Sequence, residues 1–119
     1  MAKKILVAED ELRIGNLLKM YLERESFQVE LVANGDHALE KASYEPFDLI
    51  ILDILMPGKD GFTILEEIRK NITTPVIMLS AKGEENDLRR GQELGANEYI
   101  LKPFSPREVI SKIKMLLHV

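Results

Sequence analysis

The apolar positions of this chain fall into two alternating patterns. One is a short, nearly unbroken apolar run, seen at Ile5-Leu6-Val7-Ala8, Leu49-Ile50-Ile51-Leu52 and Val76-Ile77-Met78-Leu79. Such runs suit strands buried on both faces, as in a parallel sheet. Val29-Glu30-Leu31-Val32 and Tyr99-Ile100-Leu101 are weaker members, and their position suggests strands nearer the sheet edges. The other pattern is helical. Ile14, Leu17, Leu18, Tyr21 and Leu22 recur at the spacing of one helix face. Ala38, Leu39 and Ala42 mark a second helix, and Ile64, Leu65 and Ile68 a third. The stretch from Glu84 to Leu94 reads as a helix with a thin apolar face, Leu88 and Leu94. Val109, Ile110, Ile113, Leu116 and Leu117 make a strong stripe near the C-terminus.

Turn-forming residues separate these segments: Asn34-Gly35, Pro46, Pro57-Gly58, Gly61, Thr74-Pro75, Gly83, Gly95 and Pro103. Strand and helix therefore alternate through the chain. That order predicts an α/β fold with helices on both faces of a parallel sheet, joined by right-handed crossovers. Five strands and five helices in this length favour the doubly wound, flavodoxin-like strand order 2-1-3-4-5. No linker, low-complexity segment or repeat interrupts the pattern, so residues 1–119 are expected to form one domain.

Composition narrows the function. At 45% hydrophobic and 30% charged residues the chain is not of a disordered type. It has no cysteine, which removes disulfides and thiolate metal sites. The net charge of -4, with no basic run, argues against direct nucleic-acid binding. No apolar stretch approaches the length of a membrane span, and the apolar N-terminal run stops at Glu9-Asp10-Glu11, too soon for a signal peptide. A cytoplasmic location is the expectation.

Ligands of open α/β sheets sit at the carboxyl ends of the strands, near the switch in strand order. Those ends carry Glu9-Asp10, Asp53, Ser80-Ala81 and Lys102-Pro103. The switch between strands 1 and 3 brings Glu9, Asp10 and Asp53 together. Three clustered carboxylates repel one another and raise each other's pKa values unless a cation joins them. Oxygen donors without His or Cys favour magnesium, with manganese as the alternative. Asp10 also fits the cap of a helix starting at Glu11. Of the carboxylates, Asp53 is the best nucleophile toward phosphorus, since it ends the most buried run and precedes a Pro-Gly loop. Lys102 would neutralise one phosphoryl oxygen and the Ser80 hydroxyl would donate to another, while the small Ala81 leaves room.

The segments Ala8-Glu9-Asp10-Glu11, Leu52-Asp53-Ile54-Leu55-Met56-Pro57-Gly58-Lys59-Asp60-Gly61, Leu79-Ser80-Ala81 and Tyr99-Ile100-Leu101-Lys102-Pro103-Phe104 resemble, in order and spacing, the signature segments of CheY-like response-regulator receiver domains. The resemblance covers essentially the whole chain. It implies a two-component signalling role in which a sensor histidine kinase phosphorylates Asp53. It also implies Glu9 and Asp10 as the acidic pair, a metal ligand from the Leu55 backbone carbonyl, a cis peptide at Lys102-Pro103, and Tyr99 as a switch residue that follows Ser80 inward. Such a domain catalyses its own phosphorylation and dephosphorylation and is not a turnover enzyme. Leu55 and Lys82 would flank the site and set the rate of hydrolysis.

Pro103-Phe104-Ser105-Pro106-Arg107-Glu108 is further similar to receivers of winged-helix, OmpR/PhoB-type transcriptional regulators. That likeness implies a homodimer through the fourth helix, fifth strand and fifth helix, with Glu98, Glu108 and Lys112 supplying ion pairs. Leu88 and Asn97 depart from the pattern, standing where a basic and an acidic partner are usual. A stand-alone receiver acting by protein–protein contact is the alternative. Two other classes fit less well. A flavodoxin-like cofactor binder needs an uncharged, Ser/Thr/Gly-rich phosphate loop where this chain has Glu9-Asp10-Glu11. A phosphohydrolase of the haloacid dehalogenase type carries its Asp nucleophile on the first strand with a second Asp two residues on, whereas Asp53 is followed by Ile54-Leu55. A degenerate receiver would have lost a site residue, and none is lost.

Overall fold

The computed structural model describes residues 2–81 and 85–119. Lys82, and Glu84 as the expected start of the fourth helix, lie outside the described residues. Strands and helices alternate: β1 (Lys4–Ala8), α1 (Leu12–Arg24), β2 (Gln28–Val32), α2 (Gly35–Tyr44), β3 (Leu49–Asp53), α3 (Gly61–Arg69), β4 (Val76–Ser80), α4 (Glu85–Leu94), β5 (Glu98–Leu101) and α5 (Pro106–Leu117). The strands form one parallel sheet in the order β2-β1-β3-β4-β5, as the sequence pattern predicts. The two weaker runs, β2 and β5, are its edges.

Side-chain alternation sorts each apolar run into two layers. Leu6, Ala8, Ile50, Leu52, Val76 and Met78 pack with Ala38 and Ala42 of α2 and with Ile64, Leu65 and Ile68 of α3. Ile5, Val7, Leu49, Ile51, Ile77 and Leu79 pack with Leu18 and Leu22 of α1 and with Val109 and Ile113 of α5. β3 and β4 are buried along their whole length because helices cover both faces. Full burial of such side chains stabilises the fold by roughly 1.5–3 kcal/mol each.

Helix starts follow local chemistry. Asn34, Asp60 and Ser105 cap α2, α3 and α5 by accepting from the amides of His37, Thr63 and Glu108. α1 differs from expectation: Glu11, not Asp10, holds the capping position and makes no side-chain cap bond. Its buried face is also rotated. Gly15, Leu18 and Leu22 are buried, while Leu17 is 41% exposed. Gly15 lies so close to Leu31 that β2, rather than a bulky α1 side chain, fills that space. In α4, Leu88 is 38% exposed and belongs to the surface, not to a core face, while Gly91 is buried.

Candidate active site

Register aligns the strand ends. Ala8 pairs with Leu52, Asp53 with Leu79, and Ser80 with Leu101. The residues at and just beyond these ends therefore meet on one edge of the sheet. Glu9 is fully buried, Asp53 and Ser80 are buried, Lys102 is half-buried and Asp10 is exposed. Asp10, Asp53, Leu55, Ser80, Ala81 and Lys102 line one cleft of about 620 Å³. Glu9 does not line the cleft but joins this group through its carboxylate, which lies against those of Asp10 and Asp53, and Pro103 is not among the lining residues. Tyr99 does not line the cleft. It sits half-buried on β5, packed against the layer that contains Met78. The Lys102-Pro103 peptide is cis.

Lys102 is the electrostatic centre of the site. Its Nζ donates to Asp53 Oδ2 at 2.6 Å and to Glu9 Oε1 at 3.0 Å. Its backbone amide donates to the Ser80 carbonyl at 2.6 Å, which ties its position to the β4 end. The Leu55 amide donates to Asp53 Oδ1 at 3.2 Å, so each oxygen of the Asp53 carboxylate has a donor among the described residues. The Leu55 side chain projects outward, 73% exposed at the rim.

Burial disfavours the charged form of Glu9, and contact with the Asp53 carboxylate adds to that effect. Together they push its pKa up to about 8, although Lys102 opposes the shift. Burial alone would lower the Lys102 pKa. The hydrogen bonds and charges of Asp53 and Glu9 outweigh it and hold the ammonium above its usual value. One ammonium therefore serves two carboxylates, and in the metal-free crevice the negative charge left over favours the protonated form of Glu9.

Glu9, Asp10 and Asp53 each offer a carboxylate oxygen, and these atoms lie within 4.8 Å of one another. Glu9 Oε2 is buried with no hydrogen-bond partner among the described residues. A buried carboxyl oxygen without a partner is costly, and a cation, which would favour the charged form of Glu9, answers that cost. The donor set, all hard oxygens, fits a small divalent ion such as magnesium.

Phe62, Asp87 and Arg90 line the same cleft and were not singled out from the sequence. The Arg90 guanidinium lies 4.5 Å above the Phe62 ring, in cation–π geometry. Their separation in the chain hides them. The i, i+3 spacing of Asp87 and Arg90 on α4 is the one signal that puts two charges on a common face.

Residues 5–114 match the family model of the response regulator receiver domain, and the chain belongs to that family. It is 52% identical over 114 residues to the transcriptional regulatory protein ResD of Bacillus subtilis, covering 96% of this chain and 48% of that protein. It is 49% identical over 117 residues to SrrA of Staphylococcus aureus, covering 98% of this chain and again 48% of the relative. The chain thus spans about half the length of the curated relatives it matches. Among solved structures, the receiver domain of the Francisella response regulator 1452 superposes with a TM-score of 0.93 at 34% identity, covering 98% of this chain and 97% of that one. A CheY-like receiver protein from Methanospirillum hungatei gives 0.94 at 32% identity, covering 99% and 95%. Among the described residues no helix is long and apolar enough to cross a membrane.

Proposed function

We propose that this receiver domain takes a phosphoryl group on Asp53 from a phosphohistidine of a sensor histidine kinase. The observation that carries the reading is the Lys102 ammonium, 2.6 Å from Asp53 Oδ2 in a crevice that also holds Glu9. An Asp53 oxygen forms a bond to phosphorus as the phosphorus–nitrogen bond breaks, and the leaving imidazole takes the electron pair. Lys102 is held where it meets the charge of the new acyl phosphate. Ser80, at the end of β4, donates its hydroxyl to a phosphoryl oxygen. Water later cleaves the acyl phosphate, so the chain completes its own cycle without turning over an external substrate.

Glu9, Asp10, Asp53 and the Leu55 carbonyl are the residues that would hold magnesium, or manganese in its place. When bound, the ion supplies charge neutralisation for the carboxylates and the phosphoryl oxygens. The orphaned Glu9 Oε2 supports this assignment.

Phosphorylation shifts the balance between two packings, because only one lets Ser80 engage the phosphoryl group. Tyr99 follows Ser80 inward, and the surface of α4, β5 and α5 changes its preference for a partner. In this reading the surface forms a homodimer, and the domain is the cytoplasmic regulatory half of a DNA-binding regulator; the relatives' names as transcriptional regulatory proteins and their twofold greater length support the second part. The receiver itself makes no nucleic-acid contact in this reading. On that surface Lys112 already pairs with Glu98 at 2.9 Å within the chain, and Glu108 is exposed.

Incubation with acetyl phosphate and magnesium, followed by intact mass, tests the central claim. The wild-type chain gains one phosphoryl group, and Asp53→Asn gains none. A folded, metal-binding wild type that stays unmodified refutes it.

A further inference from the structure

The loop between β3 and α3 carries Leu55 at one end and leans on the start of α2 at the other. Its inner end is held by Asp53 itself and by α3. The Leu55 amide donates to Asp53 Oδ1, and the Gly61 amide donates to the Ile54 carbonyl at 2.8 Å. Its outer end rests on Gly35, the buried first residue of α2. The Gly35 amide donates to the Pro57 carbonyl at 2.8 Å. A β-carbon on Gly35 would lie 2.6 Å from the Lys59 nitrogen and nearer still to the Lys59 carbonyl oxygen. These are backbone atoms, so no side-chain rotation relieves the overlap. Asp36, the next residue, reaches the same loop, with its carboxylate 3.9 Å from Lys59 Nζ.

We infer that Gly35 is a positioning residue for the metal site: the bare backbone at the start of α2 is the seat that sets the loop bearing the Leu55 carbonyl. The inference rests on the metal assignment above and adds a residue that touches neither metal nor phosphoryl group. The two ends of the loop are bonded to different elements across only a few residues. A displacement at Lys59 is therefore passed along the backbone to Leu55 rather than absorbed. Glycine at position 35 lets α2 approach closely enough for its first amide to bond Pro57.

The test compares Gly35→Ala with Gly15→Ala, a control at a second tight glycine. A β-carbon at Gly15 would meet the Leu31 side chain, 2.8 Å away, on the α1–β2 contact. Magnesium affinity of each folded protein is measured by calorimetric titration, beside its urea midpoint. Gly35→Ala is expected to weaken magnesium binding about tenfold, while Gly15→Ala loses stability and keeps its affinity. A loss of threefold or more specific to Gly35→Ala supports the inference. A smaller loss, or an equal loss in both variants, overturns it, because a merely structural glycine would lower stability alone. Should Gly35→Ala fail to fold, backbone amide NMR of the wild type during a magnesium titration decides. The Gly35 and Lys59 amides shift with the midpoint of Leu55 if the seat is coupled to the site, and stay fixed if it is not. Wild type that binds no magnesium refutes the metal assignment itself, and this inference with it. Normal wild-type binding with an unaffected Gly35→Ala refutes only the inference.

Discussion

Lys102 Nζ stands 2.6 Å from Asp53 Oδ2, although the two residues are 49 positions apart in the chain. The same ammonium bonds Glu9. Replacing it with methionine keeps the stem and removes the charge. With one preorganised donor lost from a partly buried site, the rate of phosphorylation by acetyl phosphate should fall on the order of a hundredfold. Single-turnover kinetics at saturating magnesium measure it. A loss under threefold would remove Lys102 from the chemistry.

The proton on Glu9 gives the metal-free protein a definite pH dependence. Its folded pKa is raised from 4.5 to about 8. Between those values the folded chain keeps a proton that the unfolded chain has released, so stability falls as pH rises through that window. With chelator present, the urea midpoint should be lower at pH 8 than at pH 6. Glu9→Gln should flatten this slope. An unchanged slope in the variant would show that Glu9 does not carry the proton.

Arg69, at the end of α3, ties down the turn between α4 and β5. Its Nε and Nη2 donate to the Gly95 carbonyl at 3.1 and 2.9 Å, and Nη2 also reaches Asn97 Oδ1 at 3.0 Å. Gly95 has φ +102, the left-handed turn that ends α4, with Ala96 N bonded back to the Gly91 carbonyl. Arg69→Ala should cost about 1–3 kcal/mol by stripping donors from half-buried acceptors. Chemical denaturation measures it. Asn97→Asp should be tolerated, since a carboxylate still accepts from Arg69 and from the Val76 amide; a loss beyond that of Arg69→Ala would contradict this account.

In the proposed switch, Tyr99 would separate the phosphorylation chemistry from its output. Tyr99→Ala should accept a phosphoryl group at the wild-type rate. Its phosphorylation-dependent dimer should weaken by about tenfold or more, a number bounded by loss of one buried aromatic contact. Analytical ultracentrifugation of the phosphorylated proteins checks this. Equal dimerisation would place the switch elsewhere.

Asn97 and Leu88 show why part of the surface was not legible in the chain. Asn97 reads as a missing acid on a dimer face, yet its side-chain oxygen is already engaged within the chain by the Val76 amide and Arg69. Leu88 reads as core by spacing, yet it lines a surface pocket with Tyr99 and Asn97. Leu17 misleads in the same way on α1. Spacing places an apolar residue on a helix face but cannot say where the neighbouring element stops, and here small residues, Gly15 and Gly91, occupy the contact.

Local pattern alone reveals the strand–helix alternation, the strand order and the strand ends at which Glu9, Asp10, Asp53, Ser80 and Lys102 gather. Those features follow from local periodicity and from a chain rule for parallel sheets, so they are written in nearest neighbours. How the charges are shared emerges from the packed fold: one ammonium bridges Asp53 and Glu9, a Glu9 oxygen is left without a partner among the described residues, and Gly35 packs against the Lys59 backbone of the Leu55 loop. These depend on distances of a few ångströms between residues tens of positions apart. Coulomb energies, desolvation and steric contact are set by such distances, and spacing along the chain does not encode them.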